Sequence, residues 1–414
     1  MANVMLGAMI GIAPFKALRP TPELASRICE LPYDVMSSEE AREIAQDNPL
    51  SFLHVSKPEI DLPPGTDIYS PEVYSKGREN FDRLISQGAL RQDAQACYYV
   101  YRQVMGAHSQ CGLVAAASCE DYLGNAIKKH EYTRPDKEDD RVRHIEVLGA
   151  QTGPVFLVHE ARKSIREHVM RLTEQPPAVD FVAADQVRHS AWVISDPGDI
   201  EWITREFASM PALYIADGHH RCAAAARVYR SRNGAGASAR FLSVIFPHDQ
   251  VRILAYNRVL TGLNVNGLSP ERLIEKLGRV FDFVREGVSA PSQKCEVGFY
   301  IGGKWRLLRF KRELAGNGSV MDRLDVELLQ KHVLAPFFGI DDPRKSERIR
   351  FVGGIRGVGE LERLVDSGSG ACAFSMFPTG IRELMEIADA GGIMPPKSTW
   401  FEPKLRDAMF CHLL

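Results

Sequence analysis

Short apolar runs alternate with amphipathic stretches along almost the whole chain. Residues 97–104 and 111–119 are rich in aromatic and β-branched side chains, and a short turn through Gly106 separates them. That pattern predicts a hairpin. Further apolar runs at 154–158, 191–194, 212–216, 241–246 and 253–259 predict strands. Between them the apolar positions fall at helical spacing. Residues 72–87 place Val73, Phe81, Leu84 and Ile85 on one face, and Gly88 supplies a stop. Ser37-Ser38-Glu39-Glu40 carries the cap and early acids of a helix start. Helices are also expected at 139–148, 165–172, 201–209 and 220–232, the last of them alanine-rich and closed by Asn233-Gly234-Ala235-Gly236.

The apolar run 4–13 is stopped by Pro14 and is too short to span a bilayer, so it predicts a buried strand. A Gly/Asn-rich stretch at 262–269 suggests a boundary. It divides the chain into a catalytic α/β core, 1–262, and an α+β region of mixed sheet and helices, 263–414. In the second region helices are expected at 270–277, 326–332 and 361–366, and strands at 297–301 and 305–310. The fold class is therefore α/β (α+β) with a mixed sheet.

Composition narrows the function. The chain has 414 residues, 45% hydrophobic and 25% charged, enough to bury a large core. Its net charge of −2 offers no basic field for nucleic acid or acidic lipid, so any anion must be held by a local cluster. The eight cysteines form no CxxC pair and sit among apolar neighbours, as reduced core thiols do. No run is long enough to cross a membrane, and a soluble cytoplasmic protein is expected.

Two segments carry candidate chemistry. The first is Asp217-Gly218-His219-His220-Arg221, between the apolar run 212–216 and the alanine-rich helix. A strand that turns at a glycine straight into a helix presents free N–H groups and a positive dipole end to an anion. His219, His220 and Arg221 add side-chain donors there, and the planar fork of an arginine suits phosphate. Asp217 is placed to orient a histidine, bind a divalent cation or accept a proton.

The second is the run 128–141, which contains Lys129, His130, Glu131, Thr133, Lys137, Glu138, Asp139, Asp140 and Arg141. Dense charge of both signs suits a site that neutralises a polyanion and holds Mg²⁺ through carboxylates. Lys129, His130, Lys137 and Arg141 are the phosphate-binding candidates, Glu131 and Glu138 the candidate bases, and Asp139 and Asp140 the metal candidates. Charge alone would favour a solvated helix start, with Asp139 and Arg143 as an i,i+4 pair; His130-Glu131 and Thr133 inside the run turn the reading toward function.

Pro32-Tyr33-Asp34-Val35 and 48–54 each read as structural turns. The proline-stiffened loop 394–404 brings Lys397, Ser398 and Thr399, either to complete a phosphate site or to tie down the C-terminal end. Walker, GxGxxG, HExxH and GxSxG patterns are absent.

Taken in order, the segments 14–20, 32–35, 48–55, 129–131, 137–141, 217–221 and 394–399 resemble a bacterial and archaeal family catalogued as a domain of unknown function. The resemblance spans nearly the whole chain. That family is similar to the pyrophosphate-dependent free L-serine kinases, and its Asp-Gly-His-His-Arg motif looks like that of the ADP-dependent archaeal enzymes, which have a ParB/sulfiredoxin-like core. The resemblance implies that His219, His220 and Arg221 grip phosphate, with Gly218 at the turn, and that Asp217 lies beside the reacting hydroxyl. The base does not carry over to one position, and Glu131 and Glu138 remain the candidates. The implied reaction moves a phosphoryl group from pyrophosphate, ADP or ATP to free serine or a similar hydroxyl, with Mg²⁺, and with no nucleic-acid or membrane partner. A ParB-like nucleotide-binding switch and a phosphoanhydride hydrolase are the alternatives.

Overall fold

The structure is a computed structural model, describing residues 10–262, 269–316 and 318–414. It forms two compact units. The first comprises Met1–Lys129, Thr133–Val251 and the returning segment Pro403–Leu414; the second comprises His130–Tyr132 and Arg252–Glu402. The Gly/Asn-rich stretch suggests a division at 262/263, whereas the units part at Val251 and Arg252. The reason is strand pairing. The run expected as one strand, 253–259, is two: Arg252–Leu254 pairs with Trp400–Glu402, and Tyr256–Leu260 pairs with Ile349–Gly353 and Cys372–Met376. Residues 263–268 of that stretch lie outside the described residues, as do residues 4–9 of the N-terminal run. Ile12–Ala13, at the end of that run, is a strand against His108–Ser118.

The first unit is built on a nine-stranded mixed sheet, counted among the described residues. Its order is Ile127–Lys128, Leu213–Asp217, Val155–His159, Arg240–Pro247, His108–Ser118, Tyr98–Met105, Arg188–Ile194 and Val179–Val182, with Ile12–Ala13 beside His108–Ser118. Two pairs are parallel, 127–128 with 213–217 and 155–159 with 240–247. The predicted hairpin is present, with Tyr99 opposite Val114 and Gly106 in the left-handed region at the turn. The central strands are mostly apolar and buried along nearly their whole length because both their faces are covered. Tyr98, Val100, Trp192, Phe207 and Phe241 fill the main core. Fully burying one such large apolar side chain contributes about 1.5–3 kcal/mol.

Helix Ser38–Ala45 starts in a capping box: the Ser37 hydroxyl accepts the Glu40 N–H, and the Glu40 carboxylate accepts the Ser37 N–H. Helix Pro135–Leu148 begins earlier than the expected 139, since Pro135 suits a first helical position. It packs against helix His219–Ser231, whose small Ala224 lets Ile145 and Val228 meet. The returning segment is woven into this unit. Cys411 and Leu18 exchange backbone hydrogen bonds of 2.8 and 3.0 Å, and the Ala408 N–H donates to the Thr152 carbonyl at 3.0 Å. Asp407 is thereby fixed deep inside the unit, 3% exposed.

Among the described residues, the second unit holds a six-stranded sheet in the order Phe281–Glu286, Lys304–Phe310, Glu296–Ile301, Cys372–Met376, Tyr256–Leu260, Ile349–Gly353. Every pair in it is antiparallel, where a mixed sheet was expected. The strands 296–301 and 304–310 turn through Gly302-Gly303, both at positive φ, the geometry of a tight hairpin. Val259, Tyr300, Trp305 and Leu361 form its core. The expected helix 326–332 is Asp325–Leu329 followed by a wider turn, Gln330–Leu334. Among the described residues no helix is long and apolar enough to cross a membrane. All eight cysteines are free thiols.

Candidate active site

Strand Leu213–Asp217 ends at Gly218, and helix His219–Ser231 starts at the next residue. Gly218 has φ 94° and ψ 31°, a left-handed conformation that side chains disfavour. A Cβ there would meet Arg221 Cζ and Val155 Cα at an ordinary 3.5 Å, so backbone torsion, not space, calls for glycine. The sharp turn leaves His219, His220 and Arg221 in the first helical turn, where the backbone N–H groups lack intrahelical partners. Beside them Asp217 is held by Lys404 of the returning segment, Nζ to Oδ2 at 2.8 Å.

Arg221 turns back toward the sheet. One terminal nitrogen donates to the Pro154 carbonyl, and the other stands 3.8 Å from Asp34 Oδ2. Arg141, on helix Pro135–Leu148, lies over the Tyr33 ring at 3.8 Å and pairs with Asp140 at 2.7 Å. Asp140 also accepts the Tyr74 hydroxyl at 2.8 Å. Arg141 and Arg221 share the wall of one cavity with Tyr33, Thr152, Gly153 and Asp407. Its volume is about 30 Å³, space for a water or two. A Cβ on Gly153 would stand 2.6 Å from Asp407 Oδ1, so only glycine admits that carboxylate.

Burial dominates the electrostatics here. It pushes the Asp407 carboxyl up to about 7, although Arg221 and Arg141 pull the other way. Burial also works to lower the Arg221 guanidinium, but Asp34, Asp217 and Asp407 outweigh it, and the net direction is upward. For Arg141 the same desolvation is outweighed by Tyr33 and Asp140. Burial raises the Tyr33 phenol and brings His144 down to about 3, so His144 is neutral and donates its Nε2–H to the Val55 carbonyl. The cavity therefore holds two obligate cations and one carboxyl that titrates near neutrality.

The second segment divides between the units. Residues 133–141 share the first unit with 217–221. The Arg134 N–H donates to His220 Nε2 at 3.1 Å. Glu138 accepts the Thr133 hydroxyl, and Glu138 and Asp139 flank Arg227 at 3.5 and 2.7 Å. Lys137 donates to the Tyr69 hydroxyl at 2.9 Å. Lys129 lies 4.0 Å from the centre of the Tyr122 ring, and burial pulls its pKa down. Lys128 pairs with Tyr214 in the sheet.

His130 and Glu131 belong to the second unit, as do Lys397, Ser398 and Thr399. There the His130 carbonyl accepts the Met394 N–H at 2.8 Å. The Ser398 hydroxyl donates to the Pro395 carbonyl at 2.6 Å, and Lys397 lies over Tyr256 at 5.7 Å. Thr399 follows in the same loop.

Asp139 and Asp140 do not fit Mg²⁺ as a pair. Neighbouring helix positions point about 100° apart. Asp139 is bound by Arg227, and Asp140 by Arg141 and Tyr74. A hard cation needs several oxygens converging on one point.

The geometry also brings forward Tyr33, Asp34, Lys404 and Asp407. The first two lie in Pro32-Tyr33-Asp34-Val35, which reads as a structural turn in the sequence. Lys404 closes the proline-stiffened loop. Asp407 has no sequence signal, because only the return of Pro403–Leu414 to the first unit places it.

The family described as "Protein of unknown function (DUF1015)" matches residues 12–327, and this chain belongs to it. The expected membership is thus met. Solved structures similar to the chain include a free serine kinase in complex with AMP, 13% identical with a TM-score of 0.35, covering 70% of this chain and 86% of that one. A conserved hypothetical protein from Pyrococcus furiosus is 14% identical, TM-score 0.35, covering 72% and 93%. SbnI with C-terminal truncation from Staphylococcus aureus is 11% identical, TM-score 0.39, covering 71% and 85%. At such scores these likenesses say nothing about what this chain binds or does. No curated protein matches.

Proposed function

We propose that this protein is a small-molecule kinase that transfers a phosphoryl group from pyrophosphate, or from ADP or ATP, to the hydroxyl of free L-serine or a similar small acceptor. The observation that carries this reading is the placement of Arg141 and Arg221 in the wall of one cavity, beside the Gly218 turn and the start of helix His219–Ser231. Phosphoryl transfer asks a protein mainly to position two oxygens in line and to neutralise spreading negative charge. Two buried guanidinium groups and a helix start supply that neutralisation with little reorganisation.

In this reading Arg221, His219 and the first-turn N–H groups hold the donor's phosphates, and Arg141 meets the charge from the cavity side. Lys129, His130, Lys137, His220, Lys397, Ser398 and Thr399 are the further phosphate-contact candidates. Asp217, oriented by Lys404, lies beside the acceptor hydroxyl. A carboxylate, Glu138 or Glu131, takes the proton as the new P–O bond forms and the phosphoanhydride bond breaks, releasing phosphate or the shortened nucleotide. Mg²⁺, when bound, would neutralise part of the donor's charge.

Phosphorus NMR of each donor with a panel of amino acids and small alcohols tests the reading. A phosphoserine resonance that appears only when serine is present supports it. Donor cleavage at the same rate without any acceptor makes the protein a hydrolase, and an absence of turnover with every pair removes the enzymatic reading.

A further inference from the structure

A second cavity, of about 310 Å³, lies in the first unit between helix Lys163–Leu172 and the sheet. It is remote from the phosphate candidate. Arg221 contacts Pro154, at the start of strand Val155–His159, whereas His159, at the other end, lines this cavity. Five steps of a strand separate them by about 17 Å. The volume is at the lower bound of the roughly 300–1,000 Å³ that small-molecule sites occupy.

The floor of the cavity is apolar: Leu113, Ile165, Phe207 and Ile245 line it, each at most 6% exposed. Its polar wall is cationic, with three arginines. Two are matched by acids. Arg162 contacts Glu206 at 3.4 Å and the Ser209 hydroxyl at 2.6 Å, and Arg166 pairs with Asp249. The third, Arg102, stands 4.7 Å over the Trp192 ring, and among the described residues its Nε is buried without a hydrogen-bond partner. Asp180, the acid whose charge Arg102 influences, is already engaged by Arg188 at 2.9 Å and by the Ser190 hydroxyl at 2.7 Å. A guanidinium keeps its charge under burial, so an unmatched N–H beside an apolar space is a donor waiting for an acceptor.

We infer that this cavity is a second binding site, for a small carboxylic acid with an apolar body, whose carboxylate meets Arg102 and whose body covers Leu113, Ile165, Phe207 and Ile245. The inference is independent of the kinase reading, since it shares no residue with the Arg141–Arg221 cavity. Three cations against two acids select a single anionic head, and the apolar floor excludes inorganic anions as the preferred occupant.

Trp192 makes the test direct, because a carboxylate that engages Arg102 changes the surroundings of the indole. The full-length protein is titrated with 3-phenylpropionate, and separately with the isosteric 3-phenylpropanamide, following tryptophan fluorescence and heat. The acid is expected to bind saturably and the amide about tenfold more weakly or worse, the loss of one charge-assisted hydrogen bond. Arg102→Met should bring the acid to the amide's level, with the thermal midpoint unchanged. Arg221→Lys should leave acid binding untouched. Equal affinity of acid and amide, no saturable binding of the acid, or full acid affinity in Arg102→Met would each overturn the site. The acid–amide comparison needs only the unaltered protein, so misfolding of a variant does not blunt it.

Discussion

In the nine-stranded sheet two strand pairs are parallel, whereas in the six-stranded sheet every pair is antiparallel. A parallel pair cannot close through a tight turn. Strand Val155–His159 reaches its parallel partner Arg240–Pro247 only after strand Leu213–Asp217 and helix His219–Ser231 have intervened. That crossover leaves a helix start, with its open N–H groups, at a strand end. The antiparallel hairpin at Gly302-Gly303 leaves no such group. Buried acids show the same contrast. Asp407 in the first unit and Asp325 in the second are each pushed by burial up to about 7. Asp325 is satisfied locally, by the Cys295 N–H at 2.9 and 3.0 Å. Asp407 instead faces a cavity walled by Arg141 and Arg221. Similar burial thus gives a carboxyl satisfied by a local N–H in one sheet and a carboxyl that faces two guanidinium groups in the other.

The largest effect should come from Arg221. Arg221→Met strips the cation that faces Asp34, Asp217 and Asp407, and is expected to cost about 3–5 kcal/mol of stability and to abolish phosphoryl transfer. Arg309→Met in the antiparallel sheet breaks the 2.7 Å pair between half-exposed Arg309 and buried Glu296, but Ser292 and Gln293 still donate to that carboxylate, so it should cost only about 1–2 kcal/mol with turnover unchanged. Thermal unfolding and phosphorus NMR on both variants read the difference; equal losses of activity would dissolve the contrast between the sheets.

The next effect is on pH dependence. A carboxyl whose folded pKa is raised stabilises fully below its unfolded value near 4, and that stability is lost as pH rises through about 7. Asp407→Asn and Asp325→Asn should each flatten this decline, by an amount on the order of a few kcal/mol. Pyrophosphate should separate them. An anion beside Asp407 raises its pKa further, so donor binding near pH 7 takes up a proton. Calorimetry in buffers of different ionisation heat should register the uptake in the unaltered protein and in Asp325→Asn, and lose it in Asp407→Asn. Uptake that survives in Asp407→Asn would remove this carboxyl from the donor site.

Gly218→Ala and Gly303→Ala impose the same kind of left-handed strain, about 1–2 kcal/mol each. Only the first should also lower turnover, because it displaces the start of the helix; a turnover loss in Gly303→Ala would contradict this. The smallest effect belongs to Asp139. Its partner Arg227 is 43% exposed, so Asp139→Asn should change stability by about 0.5 kcal/mol or less and leave turnover alone. A lost response to Mg²⁺ in that variant would restore Asp139 as a metal ligand.

Much of the fold was legible because it is local. The hairpin around Gly106, the capping box at Ser37 and the glycine turn at 218 each depend on a few adjacent residues whose chemistry has few alternatives. The passage from strand to helix at Asp217–Arg221 was legible for the same reason. What escaped depends on distant pairing. The split of 253–259 into two strands is decided by partners near 350, 372 and 400, which no local pattern reveals. Asp407 is an ordinary acid in a short segment until Leu18, Glu30 and Thr152 bind that segment's backbone. Asp139 and Asp140 stood out through the dense charge around them, whereas their partners Arg227, Arg141 and Tyr74 are set by packing.

The central claim is that Arg221 is the anion grip of a phosphate-donor site, and calorimetric titration of pyrophosphate into the unaltered protein and into Arg221→Lys tests it most directly. Lysine keeps the charge and loses the fork. The account predicts saturable binding to the unaltered protein, about tenfold or more weaker in Arg221→Lys, with the variant still folded by its thermal transition. Equal pyrophosphate affinity in the two proteins would contradict it.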